Sequence, residues 1–165
     1  MDNQIQIFDD YLNETDFKKI RDMLLTPYNF PYYFNDCKVF EGDNDPQFTH
    51  IFYNYHNINS DFYSELNCII EKINPVSLMK IKANLQLKDT EIRTTAMHKD
   101  YSNPLDNQKT GILYMNTNNG KTIFEDGEEV DSVENRMVIF PASRMHAGTT
   151  HTDAMYRCVI NFNWF

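Results

Sequence analysis

Residues 111–130 read GILYMNTNNGKTIFEDGEEV. Runs of branched and aromatic residues are cut by Asn118–Asn119–Gly120 and by Asp126–Gly127, which are hairpin-type turn signals. The same texture extends in both directions. Candidate strands are Met79–Leu87, Ile92–Met97, Gly111–Asn116, Lys121–Glu125, Glu128–Val133, Arg136–Phe140, Met145–Thr149 and Ala154–Trp164. Strands at this spacing with no helices between them predict an antiparallel double-sheet barrel of the jelly-roll type, also described as a double-stranded β-helix.

Upstream the periodicity changes. Glu14–Leu25 predicts a helix, with Asn13 or Thr15 as its cap, Phe17, Ile20 and Leu24 at helical spacing, and Pro27 as its stop. Ser60–Ile73 predicts a second helix, apolar at Phe62, Leu66, Ile69, Ile70 and Ile73 and closed by Pro75. Helices that precede the strands should pack on one sheet, giving a mainly β, α+β domain. Between the helices, Tyr28–His56 carries ten aromatic residues in 29, against 14% for the whole chain, and reads as irregular. Such rings either plaster loops onto the core or form a lid or substrate platform.

The length of 165 residues fits one domain, 1–165, divided into a helical and aromatic-loop support region (1–78) and a jelly roll (79–165). The formal net charge of -9 argues against nucleic acid and anionic membranes as partners. Cys37, Cys68 and Cys158 are odd in number and far apart, so neither a disulfide frame nor a metal-type Cys pair is indicated. Met1–Asp10 lacks the character of a signal peptide, and no apolar run reaches membrane-helix length, so a soluble, cytoplasmic protein is expected.

His98 and Asp100 lie two apart at the end of a predicted strand, so alternation puts both on one face. His146 follows a later apolar run. Two imidazoles and one carboxylate on one side of a metal leave other positions open, which suits Fe(II) that must take a chelating co-substrate and O2. Zinc sites also use this set, so these three residues do not decide the metal. Arg157 lies eleven residues beyond His146 and should return to the interior on the last strand. A buried guanidinium needs an anion, and beside a metal a dicarboxylate such as 2-oxoglutarate is a natural partner. His50, His56 and His151 read as structural, Arg136 and Arg144 as solvated, and Phe162 and Trp164 as core or interface.

The segments MHKDY (97–101), GILYMN (111–116), GKTIF (120–124), VIFPASRMHAG (138–148) and YRCVINF (156–162) resemble the 2-oxoglutarate/Fe(II)-dependent dioxygenases, especially the prolyl-4-hydroxylase-like branch. The resemblance covers residues 79–165; upstream only the layout matches. It implies an iron triad of His98, Asp100 and His146, and Arg157 as the partner of the distal carboxylate of 2-oxoglutarate. It also implies Tyr114 as a tyrosine whose hydroxyl joins that arginine, and Thr122 as a small inward residue beside the co-substrate. From strand alternation, Asn84 or Gln86 reaches toward the iron-bound end. Val159 departs from the pattern, since many members have Ser or Thr two residues after the arginine.

The implied cofactors are Fe(II), 2-oxoglutarate and O2, with ascorbate as an accessory reductant. The implied reaction couples decarboxylation of 2-oxoglutarate, giving succinate and CO2, to hydroxylation of an unactivated C–H bond. The carboxylate of Asp100 points to hydroxylation, because halogenating relatives have a small residue there. The branch points to a proline-containing protein or peptide substrate. A free amino acid or small metabolite is the alternative, and a non-catalytic jelly-roll binding module is a third.

Overall fold

The structure, a computed structural model, describes residues 4–43 and 45–165. Met1–Asn3, part of the N-terminal stretch read above, lie outside the described residues. The elements run β1 (Gln6–Phe8), α1 (Glu14–Leu25), β2 (Tyr33–Asn35), β3 (Gln47–Asn54), β4 (Asn57–Ile58), a 3₁₀ turn (Tyr63–Leu66) and α2 (Asn67–Ile73). The rest are strands: β5 (Leu78–Leu87), β6 (Lys109–Tyr114), β7 (Lys121–Phe124), β8 (Glu129–Asp131), β9 (Met137–Pro141), β10 (His146–Gly148) and β11 (Tyr156–Trp164).

The strands form two antiparallel sheets. The large one has the order β1-β9-β6-β11-β5-β3-β2, with β4 paired to β3, and the small one has the order β10-β7-β8. The last strand, β11, is thus central, held by β5 on one side and β6 on the other. Its alternation divides the molecule. Cys158, Ile160, Phe162 and Trp164 face a core shared with Phe17, Ile20 and Leu24 of α1 and Ile69 of α2. On the other face Val159 joins Ile112, Tyr114, Phe124, Val130, Val138 and Phe140 between the two sheets. The helices therefore cover one face of the large sheet and the small sheet covers the other, as the order of elements predicts. Each fully buried Leu, Ile or Phe in these layers contributes about 1.5–3 kcal/mol of transfer free energy.

Helix α1 has the bounds read from the sequence, and of its two candidate caps Asn13 serves, accepting a hydrogen bond from the Asp16 N–H at 3.0 Å. The second helix is shorter than expected. Ser60 Oγ accepts from the Phe62 N–H at 3.1 Å, the chain makes a 3₁₀ turn, and α2 follows; it ends at Asn74 in the left-handed region, before Pro75.

Four expectations are corrected. The aromatic segment is not irregular throughout: β3 pairs with β5 along its length, so the large sheet draws a strand from before residue 79. Ile92–Met97 is not a regular strand. It runs beside β10 through bridges at Thr94↔Thr149 and His98↔His146, four residues on one side against three on the other. That extra residue is a bulge, which interrupts the ladder. The described strands form two separate sheets and do not close into a barrel. Finally, Asn118–Asn119–Gly120 is not a hairpin turn but a crossover between sheets. Asn118 Oδ1 accepts from the Gly120 N–H at 2.9 Å, and Asn119 is tied to Thr152 and Asp153. Among the described residues no helix is long and apolar enough to cross a membrane.

Candidate active site

His98 and His146 form an antiparallel pair whose backbone N–H groups each donate to the other's carbonyl at 2.9 Å. Their rings lie 4.6 Å apart. Each Nδ1 faces a backbone carbonyl two residues earlier, Ala96 for His98 at 3.2 Å and Arg144 for His146 at 3.4 Å. Those carbonyls take the ring N–H, which leaves both Nε2 lone pairs free. Asp100 Oδ1 lies 4.0 Å from His98 Nε2 and 3.9 Å from His146 Nε2. The three ligand atoms fall within 4.8 Å of one another, a set able to hold a metal ion.

The second oxygen of Asp100 is held from β6 and β11. Oδ2 accepts from Asn163 Nδ2 at 2.7 Å and from Thr110 Oγ1 at 3.1 Å. Burial pushes the Asp100 carboxyl up, but His146, Asn163, His98 and Thr110 together hold it below the usual carboxylate range. Burial pushes His146 down, with Asp100 opposing. The two trends favour a charged carboxylate at Asp100 and a neutral imidazole at His146, the protonation states of metal ligands. Phe140 packs on His146 at 4.9 Å and completes a dry wall behind it.

Arg157 lies at the far end of the same cavity, which has a volume of about 100 Å³. The guanidinium is buried. Its Nε donates to Ser132 Oγ at 3.0 Å and one amino group reaches Thr122 Oγ1 at 3.5 Å. Among the described residues it makes no ion pair. Burial lowers its pKa, with Tyr114 and Cys158 opposing. Gly120 makes room for it: a Cβ there would lie 3.0 Å from Arg157 Cδ and 3.2 Å from Nε.

Of the residues read from the sequence, the fold brings together His98, Asp100, His146, Arg157, Thr122, Asn84 and Gln86 around one cavity. Tyr114 is placed differently. Its hydroxyl donates to Thr122 Oγ1 at 2.7 Å and makes no hydrogen bond with the guanidinium, which lies over the ring at 5.6 Å from its centre. The reason is register: Tyr114 pairs with Val159, two residues beyond Arg157, so its ring passes beneath the cation. Arg144, expected to be solvated, is buried, paired with Asp126 and Glu128 and over the Phe124 ring. His50 is structural as expected, held by Pro31 and Ser60.

Asn163, Thr110, Ser132, Lys82, Gln47 and Asn161 were not singled out from the sequence. Period-two alternation from Arg157 would have found Asn161 and Asn163, and from Asn84 it would have found Lys82. Nothing local marks Ser132, which is placed by its backbone bond to Gly120 and meets Arg157 from there.

No family model matches the sequence, and no curated protein matches it. Solved structures do match. An oxidoreductase of the 2OG-Fe(II) oxygenase family from Burkholderia pseudomallei superposes with a TM-score of 0.73 at 11% identity, over 97% of this chain and 84% of that one. The chain has the fold of the 2OG-Fe(II) oxygenases. A prolyl hydroxylase from Trichoplax adhaerens, solved with a hypoxia-inducible-factor peptide fragment, gives 0.68 at 13% identity over 99% of this chain and 84% of that one. The non-heme alpha-ketoglutarate-dependent epimerase of nogalamycin biosynthesis gives 0.65 at 12% identity, over 99% and 78%. This oxygenase fold thus accompanies different reactions, and the residues of the cavity, not the fold, must carry the functional reading.

Proposed function

We propose that the protein is an Fe(II)- and 2-oxoglutarate-dependent dioxygenase that hydroxylates an unactivated C–H bond. The observation that carries this reading is a buried Arg157 with no anionic partner among the described residues, lining one cavity with a His–Asp–His set. A desolvated guanidinium is costly unless an anion completes it, and a dicarboxylate chelating the metal supplies that anion. The donor set fits the group as well, since two imidazoles and a carboxylate leave open positions for a keto acid and O2.

His98 Nε2, His146 Nε2 and Asp100 Oδ1 would hold the metal, and Arg157 the distal carboxylate, oriented by Ser132 and Thr122. The amides of Asn84 and Gln86 line the cavity between them. Bound together, Fe(II) and 2-oxoglutarate supply O2 activation and oxidising power, with succinate and CO2 as coproducts. The protein's part is to fix the ligands, exclude water with Phe124 and Phe140, and keep Asp100 ionised. The presence of that carboxylate, which occupies the position a halide would need, favours hydroxylation.

Two substrate readings have support. A proline-containing peptide is favoured by the peptide-bound Trichoplax structure and by the exposed rings of Tyr33, Phe34 and Phe40. A free amino acid or other small molecule is favoured by an unpaired lysine in the cavity.

The decisive test is an anaerobic titration of the Fe(II) protein with 2-oxoglutarate, followed in the visible, for wild type and Arg157→Ala. A metal-to-ligand band that appears in wild type and needs far more 2-oxoglutarate in the variant is the expected result. Iron bound with no such band at any concentration would overturn the reading.

A further inference from the structure

On β5, Ile81 and Ala83 face the helix-side core, so Lys80, Lys82, Asn84 and Gln86 face the other way. In the register, Lys82 lies directly across β11 from Asn161, two positions from Asn163, whose amide holds Asp100. Lys82 and Asn161 line the same cavity as the His–Asp–His set. Among the described residues the Lys82 side chain makes neither a hydrogen bond nor an ion pair. The amide oxygens of Asn161 and Asn84 are likewise buried without a partner. The Lys82 ammonium, on a half-buried side chain, has no partner, and two buried carbonyl oxygens are orphaned beside it; a ligand that satisfies those oxygens turns their cost into binding.

Charge balance narrows the ligand. On the reading above, the divalent metal and Arg157 are offset by Asp100 and the two carboxylates of 2-oxoglutarate. The other lysine of the cavity, Lys38, is paired with Asp45 at 2.9 Å. Among the described residues Lys82 is left as a cavity cation without a counter-charge. Burial, then Lys80, push its pKa down while Asp100 pulls it up, and a partner anion would act in the same direction as Asp100.

We propose that Lys82 binds a carboxylate carried by the substrate, while Asn161 accepts an N–H from it, which makes the free amino acids the substrate class. This rests on the dioxygenase reading. A carboxylate at Lys82 has two sources, the substrate or the chelating end of 2-oxoglutarate itself, and the experiment separates them.

The protein is loaded with Mn(II), which does not turn over, and saturated with 2-oxoglutarate. Binding of each proteinogenic free L-amino acid and of its carboxamide is then measured by thermal shift and calorimetry, for wild type, Lys82→Met and Lys82→Arg. At least one acid should bind wild type while its amide does not. Lys82→Met should weaken that acid about tenfold or more, as expected for loss of a charge-assisted hydrogen bond, with the 2-oxoglutarate affinity unchanged. Lys82→Arg should retain part of the binding. The proposal is overturned if no acid binds, if the acid binds Lys82→Met as tightly as wild type, or if Lys82→Met weakens 2-oxoglutarate instead. Failure of wild type to bind 2-oxoglutarate at all would identify the dioxygenase reading as the part that is wrong.

Discussion

The Tyr114 hydroxyl donates to Thr122 Oγ1 at 2.7 Å, from a side chain with no solvent exposure. Thr122 is then also the oxygen that Arg157 reaches, so one small side chain ties the large sheet to the small one. Thr122→Val removes the acceptor and strands a buried phenol, which costs about 1–3 kcal/mol. Tyr114→Phe removes the donor and leaves an oxygen that Arg157 still satisfies, so it should cost less. Urea unfolding of both variants checks the order.

Gly120 predicts a change in affinity without a change in metal binding. A methyl group there would press on Arg157 and on Asn118 Oδ1, 2.8 Å away. Gly120→Ala should therefore weaken 2-oxoglutarate binding several-fold while Mn(II) affinity stays at the wild-type value. Calorimetry of the two ligands separates the effects.

Asn163 predicts the reverse. Its amide donates to Asp100 Oδ2 at 2.7 Å and to Thr110 Oγ1 at 3.0 Å, and so orients from behind the carboxylate proposed as a metal ligand. Asn163→Ala should weaken metal affinity about 10–100-fold, the usual effect of losing a group that orients a ligand. The metal affinity, measured by competition with a chelator of known strength, is the readout; an unchanged affinity would show that Thr110 suffices.

His50 predicts a pH dependence of stability. It is buried among Phe30, Phe52 and Phe62, with Nδ1 on the Pro31 carbonyl and Nε2 on Ser60 Oγ, both at 2.7 Å. Burial holds its pKa below the ordinary 6.5, against the pull of the Pro31 carbonyl. A depressed histidine pKa means that the unfolded chain takes up the proton first. Its stabilising contribution is full above pH 6.5 and is lost as the pH falls below that value. His146 and His151, also depressed, act in the same direction in the metal-free protein. The urea midpoint of the metal-free protein should fall between pH 7.5 and 5.5, and fall less in His50→Gln.

What the sequence made legible is uneven for physical reasons. The helix Glu14–Leu25 was readable to its ends, because its cap, apolar stripe and proline stop are all local. That His98, Asp100, His146 and Arg157 share one cavity is legible, because strand alternation and chain order carry them there. Strand β3 was missed because its rings mask its alternation and a bulge lies between Ile51 and Tyr53. The bulge opposite β10 was invisible for a similar reason: it depends on how many residues the facing segment offers. That the Tyr114 hydroxyl meets Thr122 is not legible in the sequence, because strand register, not spacing, decides what lies beside a ring.

The position of β11 has a consequence for synthesis. Its residues follow all the others of the two sheets in chain order, yet it lies between β5 and β6 and carries both Arg157 and Asn163. While the chain is being made, β5 and β6 have no neighbour to pair with across the gap that β11 will fill. Their edges and the apolar faces of α1 and α2 must wait, exposed, until Trp164 has emerged from the ribosome. Pairings so distant in sequence form slowly, and unpaired strand edges invite association. A nascent chain stalled before residue 156 should be the species that chaperones hold.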